Sequence, residues 1–222
     1  MIRILVATAF LAGAVHGIAH ADEQFERVKV FLERNVTDKD VEIKFEATGG
    51  AAGLTGLKVT APDGRTMIDF KAPDSRLGLR HLTFESPEPP NDGRVQSDFP
   101  AGTYMFSGSG AGGVRLEGKA VLSHAFPDPT VFVRPRPDAK DVSHKGLRVG
   151  WQSVKGLDAF IVVIEHESSG REIRAKLPGN ATSFAVPDGF LLPGTEYKLA
   201  IGTVAKDGNS SFIETAFTTT KK

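Results

Sequence analysis

The chain reads as an all-β protein built from two β-sandwich domains, and three observations carry that expectation. Its 13 prolines and 24 glycines, set against 3 methionines and 1 tryptophan, favour short strands and punctuated turns over long helices. Apolar and charged residues alternate in discrete runs, as where Val41, Ile43 and Phe45 are interleaved with Glu42, Lys44 and Glu46, the pattern of a strand with one wet face. Finally, 222 residues exceed the common single core of about 100 to 150 residues.

Residues 1–21 carry Arg3, the apolar run Ile4 to Ala14 and then Ala19-His20-Ala21, the small-x-small pattern at which a secretory signal peptide is cleaved. The run is too short for a spanning helix, which needs about 20 apolar residues. The expectation is an exported chain, periplasmic or extracellular, that begins at Asp22 and does not insert in a membrane after cleavage. Cysteine is absent, which excludes disulfides, thiolate catalysis and thiolate metal sites. With 27 basic and 27 acidic side chains there is no basic footprint for nucleic acid.

Residues 22–126 are expected to form the N-terminal sandwich. FERVKVFL (Phe25 to Leu32) reads as a first strand, and Leu57 to Ala61 pairs with Thr66 to Phe70 across Pro62-Asp63-Gly64, a turn in which proline and glycine supply the two required dihedrals. FPAGTYMFSG contains a strand from Thr103 to Phe106, and GVRLEGKAVL its neighbour. Between them Pro73 to Asp98 reads as an exposed polar loop, with Phe84, Glu85, Glu88 and Asp92 as candidate recognition residues. Residues 127–138, with Pro127, Pro129, Pro135 and Pro137, read as an extended linker.

In residues 139–220, Leu147, Val149 and Trp151 share one strand face, which makes Trp151 a core anchor. Ala159 to Glu165 is apolar on both faces, Ser183 to Val186 is a short strand, and Asp207-Gly208-Asn209 is the turn before the last strand. The order LRVGW, AFIVVIE, LLPGTEYKLAIGTVAKDGNS resembles a fibronectin type III domain, an immunoglobulin-like sandwich. The resemblance spans Asp128 to Thr220 and implies that Leu192 to Tyr197 is a tyrosine corner, with the Tyr197 hydroxyl tied back to upstream backbone. Phe160 stands where that family often has tyrosine, and the turn at Lys206 to Ser210 lacks the RGD of integrin-binding members. The resemblance thus implies a fold and leaves the ligand open. ERNVTDKD, APDG, FESPEP, FPAGTY and LSHAFP extend the likeness to exported bacterial proteins that join an N-terminal β-domain to one fibronectin type III domain.

Candidate chemistry is sparse. Gly108, Gly110 and Gly113 match G-x-G-x-x-G, but VRLEGKAVL follows where a phosphate-binding helix is required. Glu33, Asn35, Asp38 and Asp40 form an oxygen-rich turn that calcium would favour, with Glu85, Glu88 or Asp92 as further ligands. Lys39 sits inside that cluster, and side-chain capping of the turn explains most of these residues without a metal. His81, His124, His144 and His166 lack zinc spacing, and neither a G-x-S-x-G elbow nor an H-E-x-x-H motif is present. Asn35, Asn180 and Asn209 open N-x-S/T triplets. No catalytic residue is singled out. The expected role is a non-catalytic binding or adhesion protein for a polysaccharide or protein partner, with an accessory subunit of an exported complex and a hydrolase with unrecognised residues as the alternatives. Calcium is the one cofactor admitted, and Phe84 and Phe190 are the aromatics available to a glycan.

Overall fold

A computed structural model of the chain describes residues 23–51, 53–89 and 92–221; the expected signal segment lies outside them. In chain order the strands are β1 (Glu23–Gln24), β2 (Arg27–Asn35), β3 (Asp40–Thr48), β4 (Leu54–Thr60), β5 (Thr66–Lys71) and β6 (His81–Glu85). After the helix α1 (Asp92–Asp98) come β7 (Gly102–Gly110), β8 (Arg115–Leu122), β9 (Phe132–Arg134), β10 (Ala139–Val142), β11 (Arg148–Trp151) and β12 (Ala159–His166). The last four are β13 (Arg171–Pro178), β14 (Ser183–Ala185), β15 (Glu196–Val204) and β16 (Ser210–Thr219).

The protein is all-β, with two apolar cores. In the N-terminal half the sheet β1-β8-β7-β4-β5 faces β2, β3 and β6, and Val30, Leu32, Val41, Ile43, Phe45, Val59, Tyr104 and Phe106 are buried between them. Alternation explains the choice, since every second side chain of β2 and β3 points to that core. In the C-terminal half β14-β11-β9 faces β13-β12-β15-β16, enclosing Val149, Trp151, Phe160, Val162, Ile164, Leu199, Ile201 and Phe217. That pairing of a three-stranded with a four-stranded antiparallel sheet is an immunoglobulin-like sandwich. Trp151 is buried against Phe160, and its Nε1 donates to the Ala181 carbonyl at 2.9 Å.

Each half is locked by a tyrosine at a strand entrance. The Tyr197 hydroxyl accepts the Leu192 N–H at 2.8 Å and donates to the Phe190 carbonyl at 3.4 Å, which is the tyrosine corner expected from the sequence. The Tyr104 hydroxyl does the same work in the other half, donating to the Pro100 carbonyl at 3.1 Å. Burial pushes the Tyr104 hydroxyl up to about 12.

The halves are not strung on a free linker. Ser210, Ser211 and Phe212 of β16 pair in parallel with Glu33, Arg34 and Asn35 of β2. One sheet therefore runs unbroken through both halves in the order β13-β12-β15-β16-β2-β3-β6, with β10 added beside β16. The segment read as linker contributes β9, which pairs with β11. Asn209, 1% exposed, fastens the junction: its Oδ1 accepts the Leu32 N–H at 2.8 Å, and its Nδ2 donates to the carbonyls of Ser123 and Ala125 at 2.9 and 2.8 Å. Beside it the Arg34 guanidinium lies over the Phe126 ring at 4.5 Å and donates to Ser211 Oγ, which in turn donates to the Pro127 carbonyl.

One local expectation is corrected. The polar loop from Pro73 to Asp98 contains β6 and α1; in HLTFE the apolar Leu82 and Phe84 alternate with polar neighbours and pack on the N-terminal core, a strand signature at period two. The glycines of GSGAGG are packing and turn glycines. A Cβ on Gly108 would lie 2.8 Å from the Phe25 ring, while Gly113 adopts φ +84° in the β7–β8 connection. At His166, Ser168 Oγ and Ser169 Oγ each lie 2.8 Å from one of the ring nitrogens, and the ring packs on Tyr197.

Candidate functional site

The unbroken sheet has one face that neither core uses. Val28, Val30 and Leu32 turn inward, so Lys29, Phe31, Glu33 and Asn35 turn outward, and the same alternation operates in β3, β12, β13 and β15. The sheet curls, so that outward residues of β3 and of β13 line one hollow of about 330 Å³. A second hollow of about 570 Å³ adjoins it and shares Glu33 and Arg174. Together they form a groove along the strands.

The floor is apolar, made of Val163, Ala200 and Phe212 and continued by Phe31 and Ile161. Gly202 shapes it, because a Cβ there would come within 2.5 Å of the Phe212 ring. The aromatic ring thus covers the glycine of the neighbouring strand, an arrangement that stabilises glycine within sheets.

The charges divide along the groove. Asp38, Asp40, Glu42, Glu88, Glu165 and Glu214 crowd one end, with Lys198 and Arg174 the cations there. At the other end Lys29, Lys44, Lys176 and Lys206 stand among Glu46, Glu85, Asp158 and Asp207. Burial, and then the nearby Asp38 carboxylate, hold the Asp40 and Glu214 carboxyls above the ordinary range. Burial also raises Glu42, although Lys44 partly offsets it. Burial acts to lower the Lys44 ammonium, but the Glu33 and Glu42 carboxylates outweigh it and leave Lys44 raised. Lys44 bridges Glu33, Glu42 and Glu85 at 3.3, 2.9 and 3.6 Å. Glu165 and Glu172 face each other directly across β12 and β13, a like-charge pairing that disfavours the sheet. Lys198 lies directly opposite Glu165 across β12 and β15, while its close ion pair is with Glu167.

The four residues expected as calcium ligands, Glu33, Asn35, Asp38 and Asp40, all line the acidic end. Asn35 is occupied as a turn cap. Its Oδ1 accepts the amides of Thr37 and Asp38 at 3.0 and 3.2 Å, and its Nδ2 donates to Asp38 Oδ2 at 2.9 Å. The turn is pinned to β16, where the Glu214 N–H donates to Thr37 Oγ1 at 2.8 Å and the Val36 N–H to the Phe212 carbonyl at 2.8 Å. Among the described residues, no group of three or more His, Asp and Glu side chains converges to hold a metal ion.

Of the loop candidates, Glu88 reaches the acidic end and Glu85 the mixed end, while Asp92 opens α1. Phe84 packs on Phe70 and Phe190 on Tyr197, so neither is the exposed aromatic expected for a glycan. Sequence reasoning did not connect Glu165, Glu172 and Glu214 to the acidic turn, which they join only because β16 pairs with β2.

No family model matches this sequence, and no curated protein matches it. Solved structures of tandem fibronectin modules are similar in outline. The fibronectin(III)-like modules of Clostridium thermocellum CbhA share 8% identity over 89% of this chain and 93% of that one, with a TM-score of 0.37. A two-domain fibronectin type III segment of chicken tenascin shares 16% over 89% and 100%, with a TM-score of 0.34. The FN1–FN3 domains of chicken CNTN1 share 10% over 91% and 67%, with a TM-score of 0.32. Similarity this loose says nothing of partner or activity.

Proposed function

We propose that this chain is an exported, non-catalytic binding module that engages a polypeptide through the concave face of the sheet common to its two halves. The observation that carries the reading is the face itself: an apolar floor of Val163, Ala200 and Phe212 between charged walls, used by neither core. The floor is recessed, with Phe212 5% exposed, and a concave surface with an apolar base and charged walls is the form that takes a ligand. Export rests on the signal-like residues 1–21. A polypeptide suits the face better than a glycan, because sugar stacking needs open aromatic rings, whereas Phe212 is 5% exposed and the Phe31 ring lies under Lys29, and Phe84 and Phe190 pack inward. A binding role suits it better than catalysis, because both nitrogens of His166 are occupied by neighbouring serines, and among the described residues no carboxylate hydrogen-bonds the ring to orient it.

The test is a panel of basic peptides, acidic peptides and oligosaccharides titrated into the isotopically labelled protein, with amide shifts read by NMR. Ligands are expected to move β12, β15, β16 and β2, and Ala200→Arg, which fills the floor, to abolish the response. Shifts confined to the loops at residues 72–80 and 187–195, or turnover of any probe, would overturn the proposal.

A further inference from the structure

Resting on that reading, we infer that the occupant of the concave face is an extended basic segment of a partner polypeptide, with Lys or Arg side chains at the Asp40–Glu214 end and apolar side chains on the floor. Three observations converge. The groove follows the strands from Lys29 to Asn35, about 20 Å at 3.3 Å per residue, the length of a six- or seven-residue extended segment. Its floor is a strip of Phe31, Ile161, Val163, Ala200 and Phe212, which takes every second side chain of a strand laid along it. Its charge is uneven, strongly negative at one end and balanced at the other, so the occupant is charged at one end and oriented by it.

The arrangement of the carboxylates argues for a partner's cations and against other occupants. Where carboxylates face each other at Glu33 and Glu42, Lys44 neutralises them from within the chain. Where Glu165 faces Glu172, Lys198 stands opposite Glu165 on the other side, but its close ion pair is with Glu167; the carboxylates of that end outnumber Lys198 and Arg174, and an outside cation offsets the excess negative charge. A metal ion is a poor fit, since the carboxylates do not converge. A second copy of this chain is also a poor fit: docked face to face it would set an acidic end against another acidic end or a balanced one, with no net attraction.

The probe is the synthetic heptapeptide Lys-Lys-Lys-Val-Thr-Val-Ser, basic at one end and apolar on one face of the rest, followed by calorimetry and NMR against the full chain from Asp22, with an acidic counterpart, spermine and Ca²⁺ as comparators. The heptapeptide is expected to shift residues of β12, β15, β16 and β2, to bind more weakly as salt rises, and to lose about tenfold in affinity on Glu165→Lys with Glu172→Lys. Should that pair of reversals unfold the chain, Glu214→Gln and Ala200→Arg provide the same comparison. Spermine or Ca²⁺ binding as tightly as the peptide, or peptide binding indifferent to Ala200→Arg, would overturn an extended-segment occupant. An acidic peptide or oligosaccharide moving the face while the basic peptide does not would overturn this inference and leave the binding face standing. No response of the face to any probe removes both.

Discussion

Replacing Asn209 by alanine tests whether the two halves are one mechanical unit. The side chain is buried and makes three hydrogen bonds to backbone, one from the Leu32 amide and two to the Ser123 and Ala125 carbonyls. Truncation strands a buried N–H and weakens the support of two carbonyls. An unsatisfied buried group costs about 1 to 3 kcal/mol, and water reaching the carbonyls recovers part of that, so the expected loss is about 3 to 4 kcal/mol. Against a typical total of about 5 to 15 kcal/mol, that is large. Urea unfolding gives the stability change, and hydrogen exchange at Leu32 reports the junction directly. The exposed Asn180 is the control, where alanine is expected to cost under about 0.5 kcal/mol. A loss below about 1 kcal/mol at Asn209, with Leu32 exchange unchanged, would refute the assignment of the junction to this residue.

Tyr197→Phe removes the hydroxyl that accepts Leu192 and is expected to cost about 1 to 2 kcal/mol, and Tyr104→Phe, with its single bond to Pro100, about 1 kcal/mol, both by thermal or urea unfolding. Gly202→Ala drives a methyl into the Phe212 ring and is expected to destabilise by about 1 to 3 kcal/mol, with Phe212 shifts in the NMR spectrum; a neutral result would mean the ring moves freely. The raised carboxyls of Asp40, Glu42 and Glu214 set the sign of a pH effect. A carboxyl held higher in the folded state binds its proton more readily there, so its contribution is present below the ordinary carboxylate range and is lost as pH rises through the raised value. Glu214→Gln is therefore expected to raise stability at pH 7 and to flatten the pH profile just above the ordinary carboxylate range; a stability loss at pH 7 would contradict it.

Much of the fold was legible in local pattern, and the site was not. Alternation at Val41, Ile43 and Phe45 and at Leu147, Val149 and Trp151 identified core faces, because a strand's period of two survives any tertiary context. LLPGTEY announced the Tyr197 corner, and the related FPAGTY held the signal for Tyr104. HLTFE was equally readable as a strand, but the surrounding prolines and acidic residues favoured a loop reading. What no local pattern contains is the pairing of Glu33–Asn35 with Ser210–Phe212, which joins positions far apart in the chain. Asn209 shows the cost: in sequence it is a turn residue and a glycosylation triplet, and only the parallel pairing reveals it as a buried clasp. The acidic turn at Asp38 and Asp40 was visible as a cluster, whereas its completion by Glu165 and Glu214 awaited that same pairing.

The parallel pairing of β2 with β16 also decides how the molecule carries a pull. Tension applied between Glu23 and Lys221 draws β2 back along its own axis toward its start and β16 forward toward its end. The two strands are then made to slide past each other, and the Glu33–Ser210, Arg34–Ser211 and Asn35–Phe212 pairs resist together instead of opening one at a time like a zipper. The Asn209 side chain bridges the same slip plane. A protein stretched between two surfaces would meet its stiffest resistance at this seam.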